Sequence, residues 1–292
     1  MTNLLKNLLI QEIEYTTIRD RARRLAQTDN TSTSNPIWRQ MIVEWCYSIT
    51  DRVGADRELV YITMNILDRF LDVKISYRTD KKEYEKAIIA SLLITAKLYA
   101  EEDYICLRQL LQLTSSCFTS RDILDTAVDI YESLSWEHSI PTAARFVHTL
   151  VRLLPKNSFA RTEKSRADIF DNAIHQIELS VQDVICSNLP PSLVAWMVVE
   201  NALETTKFLT PDDLHEFRSH VSKTTGHEYS VGLRHRLQGF QANQVATLTQ
   251  QDEEVLHVLS AARLLKDIPV VSLHDFDSVS FEEHPLKRKQ SE

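Results

Sequence analysis

Apolar residues recur three and four positions apart along most of the chain, the spacing that gives an α-helix one apolar face. Residues 81–99 differ, because the run from Ala87 to Ala96 is apolar nearly all round and predicts the central, buried helix of a bundle. Amphipathic helices are predicted on both sides of it, over 3–26, 36–51, 56–72, 105–113, 119–135, 141–154, 163–186, 191–206, 211–223, 228–243 and 250–266.

Helix-start signals divide this pattern into two consecutive sets of about five helices. Asn35-Pro36 and Thr210-Pro211 each supply an N-cap residue followed by an N1 proline, and Thr119 precedes Asp122 by the spacing of a capping box. We therefore predict an all-α fold with two tandem five-helix domains. The predicted divisions are an N-terminal helix and linker, a first helical domain, a second helical domain and a flexible tail, over 1–34, 35–138, 139–266 and 267–292.

The composition supports a helical chain. Only four of the 292 residues are glycine, where average usage predicts roughly twenty. Sandwiches, barrels and phosphate-binding loops need more residues at positive φ than this. The formal net charge is 33 − 41 = −8, which repels a phosphate backbone and makes nucleic acid an unfavoured partner.

Cellular context and chemistry are constrained by what the sequence lacks. The four cysteines form no C-x-x-C pair, no apolar run is long enough to span a membrane, and no signal peptide opens the chain. We expect an intracellular soluble protein. No nucleotide-binding, hydrolase or metalloprotease motif is present, and the ten histidines are spread singly. The sequence nominates no catalytic residue, no metal site and no cofactor, so we do not expect an enzyme.

Arg39 and Asp68 are a candidate ion pair between two neighbouring helices. Arg39 stands among apolar residues, and Asp68 lies on the next predicted helix. A buried guanidinium is tolerable when a carboxylate pairs with it. We predict a structural pair rather than a recognition site.

Several ordered motifs resemble the cyclin box. The run from Trp38 to Trp45 resembles the family's Met-Arg-Ala-Ile-Leu-x-Asp-Trp, and residues 68–71 match its Asp-Arg-Phe-Leu without change. Residues 95–102 are similar to Ala-Ser-Lys-x-x-Glu-Glu with two extra positions, and further matches are Leu134-Ser135-Trp136, Pro141-Thr142, Phe146, Glu178-Leu179-Ser180, Pro191-Ser192-Leu193-Val194-Ala195 and Ala202-Leu203-Glu204. The run 44–47 is also similar to divergent cyclins of unicellular algae.

The resemblance implies a regulatory subunit that binds and activates a cyclin-dependent serine/threonine protein kinase. In the family, the lysine matched by Lys97 acts with a glutamate on the fifth helix to hold backbone groups of the kinase, but that position falls on Ala127 here. Asp129 is the candidate substitute, and the implied kinase-binding set also includes Glu101 and Glu102. The alternatives are a solvated Lys97 and a solvated acidic loop.

The resemblance also implies a docking patch for substrates or inhibitors that carry Arg-x-Leu. Its residues would be Trp38, Met41, Ile42 and Trp45. The spacing of these four side chains is equally that of any core-facing helix. The sequence leaves both interpretations open.

The leading function is thus kinase regulation in cell-cycle control, in the nucleus and cytoplasm. Leu286-Lys287-Arg288-Lys289 is a short candidate import signal, although three basic residues are few and a solvated terminus is the better explanation. One alternative is a cyclin-fold scaffold without kinase activation, which Ala127 favours. The other is a transcription-factor-type adaptor that contacts DNA, which the net charge of −8 disfavours.

Overall fold

The computed structural model describes residues 2–25, 36–99, 105, 107–113, 118–134, 141–154, 163–206 and 209–243. All regular secondary structure in these ranges is helical, which confirms the all-α prediction. The helices in chain order are α1 (Thr2–Leu25), α2 (Pro36–Val53), α3 (Glu58–Val73), α4 (Ser76–Thr79), α5 (Lys81–Tyr99), α6 (Leu107–Leu113), α7 (Ser120–Ser133), α8 (Ala143–Leu153), α9 (Glu163–Ser180), α10 (Val184–Ser187), α11 (Pro191–Thr206), α12 (Pro211–Thr225) and α13 (Val231–Asn243).

Two helix starts show the local chemistry that the sequence predicts. At α7, the Asp122 amide donates to the Thr119 hydroxyl at 3.2 Å, and the Thr119 amide donates to the Asp122 carboxylate at 2.8 Å. These hydrogen bonds satisfy two amides that the helix itself leaves unpaired. At α12, Thr210 is the N-cap and Pro211 the first helical residue.

A first helical core surrounds α5. Every residue of α5 from Ala87 to Ala96 is buried, as its apolar sequence predicts. Helices α3, α4, α6 and α7 pack against α5, and α2 packs against α3. The apolar faces of these helices therefore cover α5 on all sides.

A second helical core has the same plan, with α11 at its centre. All residues of α11 from Val194 to Leu203 are buried, including Trp196 and Glu200. Helices α8, α9 and α13 pack against α11, and α12 contributes Phe217 and Val221. Each core therefore has one central helix that is buried on all sides, α5 in the first core and α11 in the second.

Helix α1 contacts both cores. Its residues Leu5 and Leu8 are buried in the second core, and Tyr15 is buried in the first. The Tyr15 hydroxyl donates to the Asn65 side chain on α3 at 2.9 Å. The N-terminal helix thus bridges the two cores.

Two details differ from the sequence prediction. The sequence does not predict the short helix α4, and the helix predicted over 163–186 breaks at residues 181–183. The break has a local cause, because the Asp183 side chain accepts from the Cys186 amide at 2.8 Å and caps α10. The predicted helix over 250–266 and the tail lie outside the described residues, and the predicted domain boundaries stay predictions.

Candidate functional site

The C-terminal end of α5 leaves the first core and exposes three consecutive residues. Lys97, Leu98 and Tyr99 are all exposed, directly after the buried run that ends at Ala96. Partial burial raises the pKa of the Tyr99 hydroxyl, and the nearby Arg69 and Arg145 act in the opposite direction. A lysine, an aliphatic side chain and a phenol are therefore presented together at this helix end.

The outer face of α7 presents a second set of exposed apolar side chains. Leu124 is 49% exposed and Val128 is 51% exposed, four positions apart on one face of the helix. The adjacent Arg121 and Asp125 form an exposed ion pair at 3.5 Å. The opposite face of α7 is anchored in the first core by Ile123 and other buried residues.

These two sets belong to helices that pack against each other. Helix α5 contacts α7, and Tyr131 of α7 lies close enough to influence the pKa of Tyr99. We call the set Lys97, Leu98, Tyr99, Leu124 and Val128 the α5–α7 surface. A surface of apolar groups with one cation suits contact with another protein.

Ala127 and Asp129 of α7 are the two residues that the sequence analysis compares with the family's glutamate. The structure places them in different surroundings. Ala127 is buried at 7% exposure and offers no acceptor. The Asp129 carboxylate accepts from the Lys74 ammonium at 2.6 Å and from the Tyr77 hydroxyl at 3.4 Å. Burial raises the pKa of Tyr77, and the negative charge of Asp129 raises it further. Asp129 is thus engaged within its own core, and its kinase-binding role stays a prediction.

Glu101 and Glu102 lie outside the described residues. The helix α2, which carries the predicted docking patch, is described. Met41, Ile42 and Trp45 are 4%, 3% and 3% exposed, and only Trp38 is partly exposed, edge-on to Tyr84 at 5.6 Å between ring centres. Three of the four side chains are therefore buried in this structure. The docking role stays a prediction.

The predicted pair of Arg39 and Asp68 is present, and it also reaches the second core. Arg39 is 1% exposed, and its guanidinium donates to the Asp68 carboxylate at 2.6 Å. The Arg39 Nε also donates to the carbonyl of Val181 at 2.9 Å, directly after α9. One buried side chain thus joins α2, α3 and the end of α9.

Three further polar contacts between described residues join the two cores, and the sequence does not predict them. The Tyr47 hydroxyl donates to the Glu178 carbonyl at 3.3 Å, and Arg57 pairs with the Glu178 carboxylate at 3.3 Å. The Thr142 hydroxyl, which caps α8, donates to the Glu58 side chain. Residues 84 to 131 positions apart meet in these contacts, so no local pattern could have found them.

A buried chain of hydrogen bonds holds α1 to the second core. Glu12 accepts from the Ser192 amide at 2.7 Å and from the Ser192 hydroxyl at 2.6 Å, and that hydroxyl also contacts His227 Nε2 at 2.7 Å. Burial raises the pKa of Glu12, while hydrogen bonds from Ser192 oppose the shift, and burial lowers the pKa of His227. The carboxylate meets the positive N-terminal end of α11.

Neither metal chemistry nor a membrane span is indicated in the described part of the chain. No three His, Cys, Asp or Glu side chains in these ranges converge as metal ligands. None of the described helices combines the length and hydropathy of a membrane-spanning segment. The feature that stands out is the α5–α7 surface, which can bind by contact.

The matching family model and the relatives compared here are all cyclins. Residues 4–139 match the model of the cyclin N-terminal domain. Cyclin-A3-4 of Arabidopsis thaliana is 22% identical over 207 residues, which cover 69% of this chain and 53% of the relative. Cyclin-B1-2 of Arabidopsis thaliana is 30% identical over 169 residues, which cover 58% of this chain and 35% of the relative. The matched part therefore spans about half or less of these relatives.

A solved structure shows the same fold. The X-ray structure of a viral cyclin from herpesvirus saimiri superposes with a TM-score of 0.58 at 18% sequence identity. The match covers 81% of this chain and 97% of the viral chain. It therefore extends beyond the N-terminal domain model and includes helices of the second core.

Proposed function

The chain is a divergent member of the cyclin family, and from this premise we propose that it is a regulatory subunit that binds and activates a cyclin-dependent serine/threonine protein kinase in cell-cycle control. The observation that carries the proposal is the α5–α7 surface. Its apolar side chains Leu98, Leu124 and Val128 are exposed and lie outside the first core. The same surface includes Lys97, which matches the family's kinase-binding lysine.

The proposed mechanism is a shift of the kinase population toward its active arrangement. Contact with the α5–α7 surface stabilises one kinase conformation, and the kinase supplies the phosphoryl-transfer chemistry. Complete removal of the half-exposed Leu124 and Val128 from water would contribute about 1 kcal/mol each, by the usual transfer energy of an aliphatic side chain. Lys97 adds a donor for acceptors on the kinase.

A second candidate function is a scaffold that binds a kinase without activating it. Ala127 supports this candidate, because a buried methyl group stands where the family has a glutamate. The carboxylates two residues to either side of it, Asp125 and Asp129, already pair with Arg121 and Lys74. Such a protein would keep apolar contact with the kinase but lack the acceptor half of the family's Lys–Glu arrangement.

Kinase activation with purified components tests the proposal. A panel of cyclin-dependent kinases is assayed on histone with the wild-type chain, Lys97→Ala and Lys97→Arg. Lys82→Ala is the matched control, because Lys82 is an exposed lysine at the other end of the same helix. We expect activation by the wild type and by Lys82→Ala, and a loss of about tenfold for Lys97→Ala, the size of one charge-assisted hydrogen bond.

Each other outcome has a definite meaning. Binding of a kinase without any rise in its activity would favour the scaffold. If no kinase of the panel binds the wild-type chain, the proposal of a kinase regulator fails. Equal losses for Lys97→Ala and Lys82→Ala would contradict a specific role for Lys97.

A further inference from the structure

Helix α8 carries an exposed basic face of unusual character. Arg145, His148 and Arg152 are exposed at positions i, i+3 and i+7, so they form one stripe about 10 Å long. The opposite side of α8 is buried in the second core through Phe146, Val147, Leu150 and Val151. We call the three exposed residues the α8 basic face.

The arginines of this face have no carboxylate partner within the described residues. Other exposed arginines on the described helices do, as Arg121 pairs with Asp125 and Arg236 pairs with Asp183. Neither Arg145 nor Arg152 forms an ion pair with any described side chain. Two arginines without a described carboxylate partner on one stripe of a chain with a net charge of −8 favour an anionic occupant.

The position of Arg145 is also unfavourable for the helix itself. Arg145 lies in the first turn of α8, which contains no acidic residue. The N-terminal end of a helix carries a partial positive charge, so a cation in the first turn is destabilising by a few tenths of a kcal/mol or more. Helix stability therefore does not account for an arginine at this position, whereas an anionic group bound there would offset the cost.

The chain itself holds a segment of complementary charge. Residues 275–283 read Asp-Phe-Asp-Ser-Val-Ser-Phe-Glu-Glu, with four carboxylates and no lysine or arginine. Thirty-one residues separate Asn243 from Asp275. The helix predicted over 250–266 alone would give this tether a length of about 25 Å at 1.5 Å per residue, which is close to the diameter of a small domain. An attached segment acts at an effective concentration near the millimolar range, which a separate acidic peptide rarely attains.

We propose that residues 275–283 bind the α8 basic face of the same molecule, with their carboxylates paired to Arg145 and Arg152. The docked segment neutralises the unpaired arginines and satisfies the positive helix end at α8. Arg145 lies close enough to Tyr99 to influence its pKa. The docked segment is therefore a neighbour of the α5–α7 surface, although this inference does not depend on the proposed kinase.

Zero-length crosslinking of the full chain tests the proposal. Carbodiimide joins carboxylates to lysine amines and not to arginine, so the double variant Arg145→Lys, Arg152→Lys keeps the charge of the face and makes it reactive. The matched control is Arg121→Lys, which places an exposed lysine on α7 instead. Crosslinked peptides are identified by mass spectrometry in the separated monomer, at low salt and at 1 M salt, where the screening length is about 3 Å.

We expect crosslinks from positions 145 or 152 to carboxylates of 275–283 in the monomer, at least tenfold above those from position 121, and their loss at 1 M salt. Crosslinks confined to the dimer would assign the face to a second copy and overturn docking within one chain. Equal crosslinking of 275–283 to position 121 would show that the segment contacts the surface without preference. The absence of any crosslink to position 145 or 152 would show that the segment does not bind the α8 basic face. Either result would overturn the proposal.

Discussion

The two cores share a plan but place their polar groups differently. In the first core, the central helix α5 buries hydroxyl groups but no charged side chain, and the Thr95 hydroxyl donates to the Ser91 carbonyl of the same helix at 2.9 Å. In the second core, the central helix α11 buries Glu200 at 0% exposure. Its carboxylate accepts from Arg218 at 2.8 Å and 3.0 Å and from the Trp196 indole at 3.2 Å.

The two cores also differ in their aromatic contacts and in their exposed apolar residues. Arg218 of the second core stacks on the Tyr229 ring with 4.5 Å from guanidinium to ring centre. The first core leaves Leu98, Leu124 and Val128 exposed on α5 and α7, which pack against each other, whereas the second core exposes Ile185 and Val231 on α10 and α13. The comparison teaches that only the second core buries a charged group on its central helix, since the buried Arg39 of the first core lies on α2.

Removal of Arg218 gives the largest expected effect. Arg218→Ala leaves the fully buried Glu200 carboxylate without its cation, and such losses destabilise proteins by about 3–5 kcal/mol. Because Arg218 itself is 32% exposed, we expect the low end of this range, about 3 kcal/mol, in the free energy of unfolding. Urea denaturation followed by far-ultraviolet circular dichroism measures it.

The double variant Glu200→Gln, Arg218→Ala is the control for this interpretation. It removes the buried charge together with its partner, so part of the lost stability should return. If the double variant is no more stable than Arg218→Ala, the packing of the arginine side chain rather than its charge stabilises the second core.

Truncation in the first core should have a slightly smaller effect of another kind. Leu92→Ala removes a fully buried aliphatic side chain from the centre of α5, and such changes cost about 2–4 kcal/mol through lost burial and a residual cavity. The same denaturation experiment measures it. Leu124→Ala on the exposed face of α7 is the matched control and should change stability by less than about 0.5 kcal/mol. A large loss for Leu124→Ala would mean that its side chain belongs to the core.

The weakest expected effect is a pH dependence at the contact of α1 with the second core. Burial lowers the folded-state pKa of His227 below its ordinary value of 6.5, so the neutral ring is favoured in the folded protein. Its contribution to stability is present above pH 6.5 and is lost as the pH falls through the folded-state pKa. Glu12, whose pKa is raised, acts in the opposite direction and loses stability as the pH rises through its folded-state value.

The variant His227→Gln separates the two contributions. Between pH 7.5 and pH 5.5, we expect the wild type to lose more unfolding free energy than His227→Gln. Hydrogen exchange of α1 amides reports the same loss locally. Identical pH profiles for the two proteins would show that His227 does not couple proton uptake to the position of α1.

Much of the helical plan could be predicted because its signals are local. The all-apolar run of α5, the capping box at Thr119 and the proline start of α12 are properties of a few neighbouring residues, and the structure confirms each. The ion pair of Arg39 with Asp68 was predictable, because a charged side chain among apolar residues needs a partner of opposite charge. The break after Ser180 was missed, since Asp183 as an N-cap does not interrupt the apolar spacing.

The candidate site was only partly predictable, because the exposure of a side chain depends on tertiary packing. The spacing of Met41, Ile42 and Trp45 fits a groove and a core equally, and their burial is a property of the tertiary packing that the sequence does not contain. Asp129 lies only two residues from Ala127, but at about 100° per residue it points to another face of α7. There it pairs with Lys74, which is 55 residues away in the sequence. Leu124 is as apolar as its buried neighbour Ile123, and only the packing of α7 in the fold leaves it exposed.

The most direct test of the central claim is the affinity for a purified cyclin-dependent kinase that binds the wild-type chain, measured by isothermal titration calorimetry. The test variant is Leu124→Asp, Val128→Asp on α7, and the matched control is Ile185→Asp, Val231→Asp, two equally exposed aliphatic residues of the second core at 54% and 52% exposure. We predict a weakening of at least about thirtyfold for the α7 variant, because two apolar contacts are lost and two buried charges are introduced, and less than about threefold for the control. Equal affinities of the α7 variant and the wild type would contradict the claim that the α5–α7 surface binds the kinase.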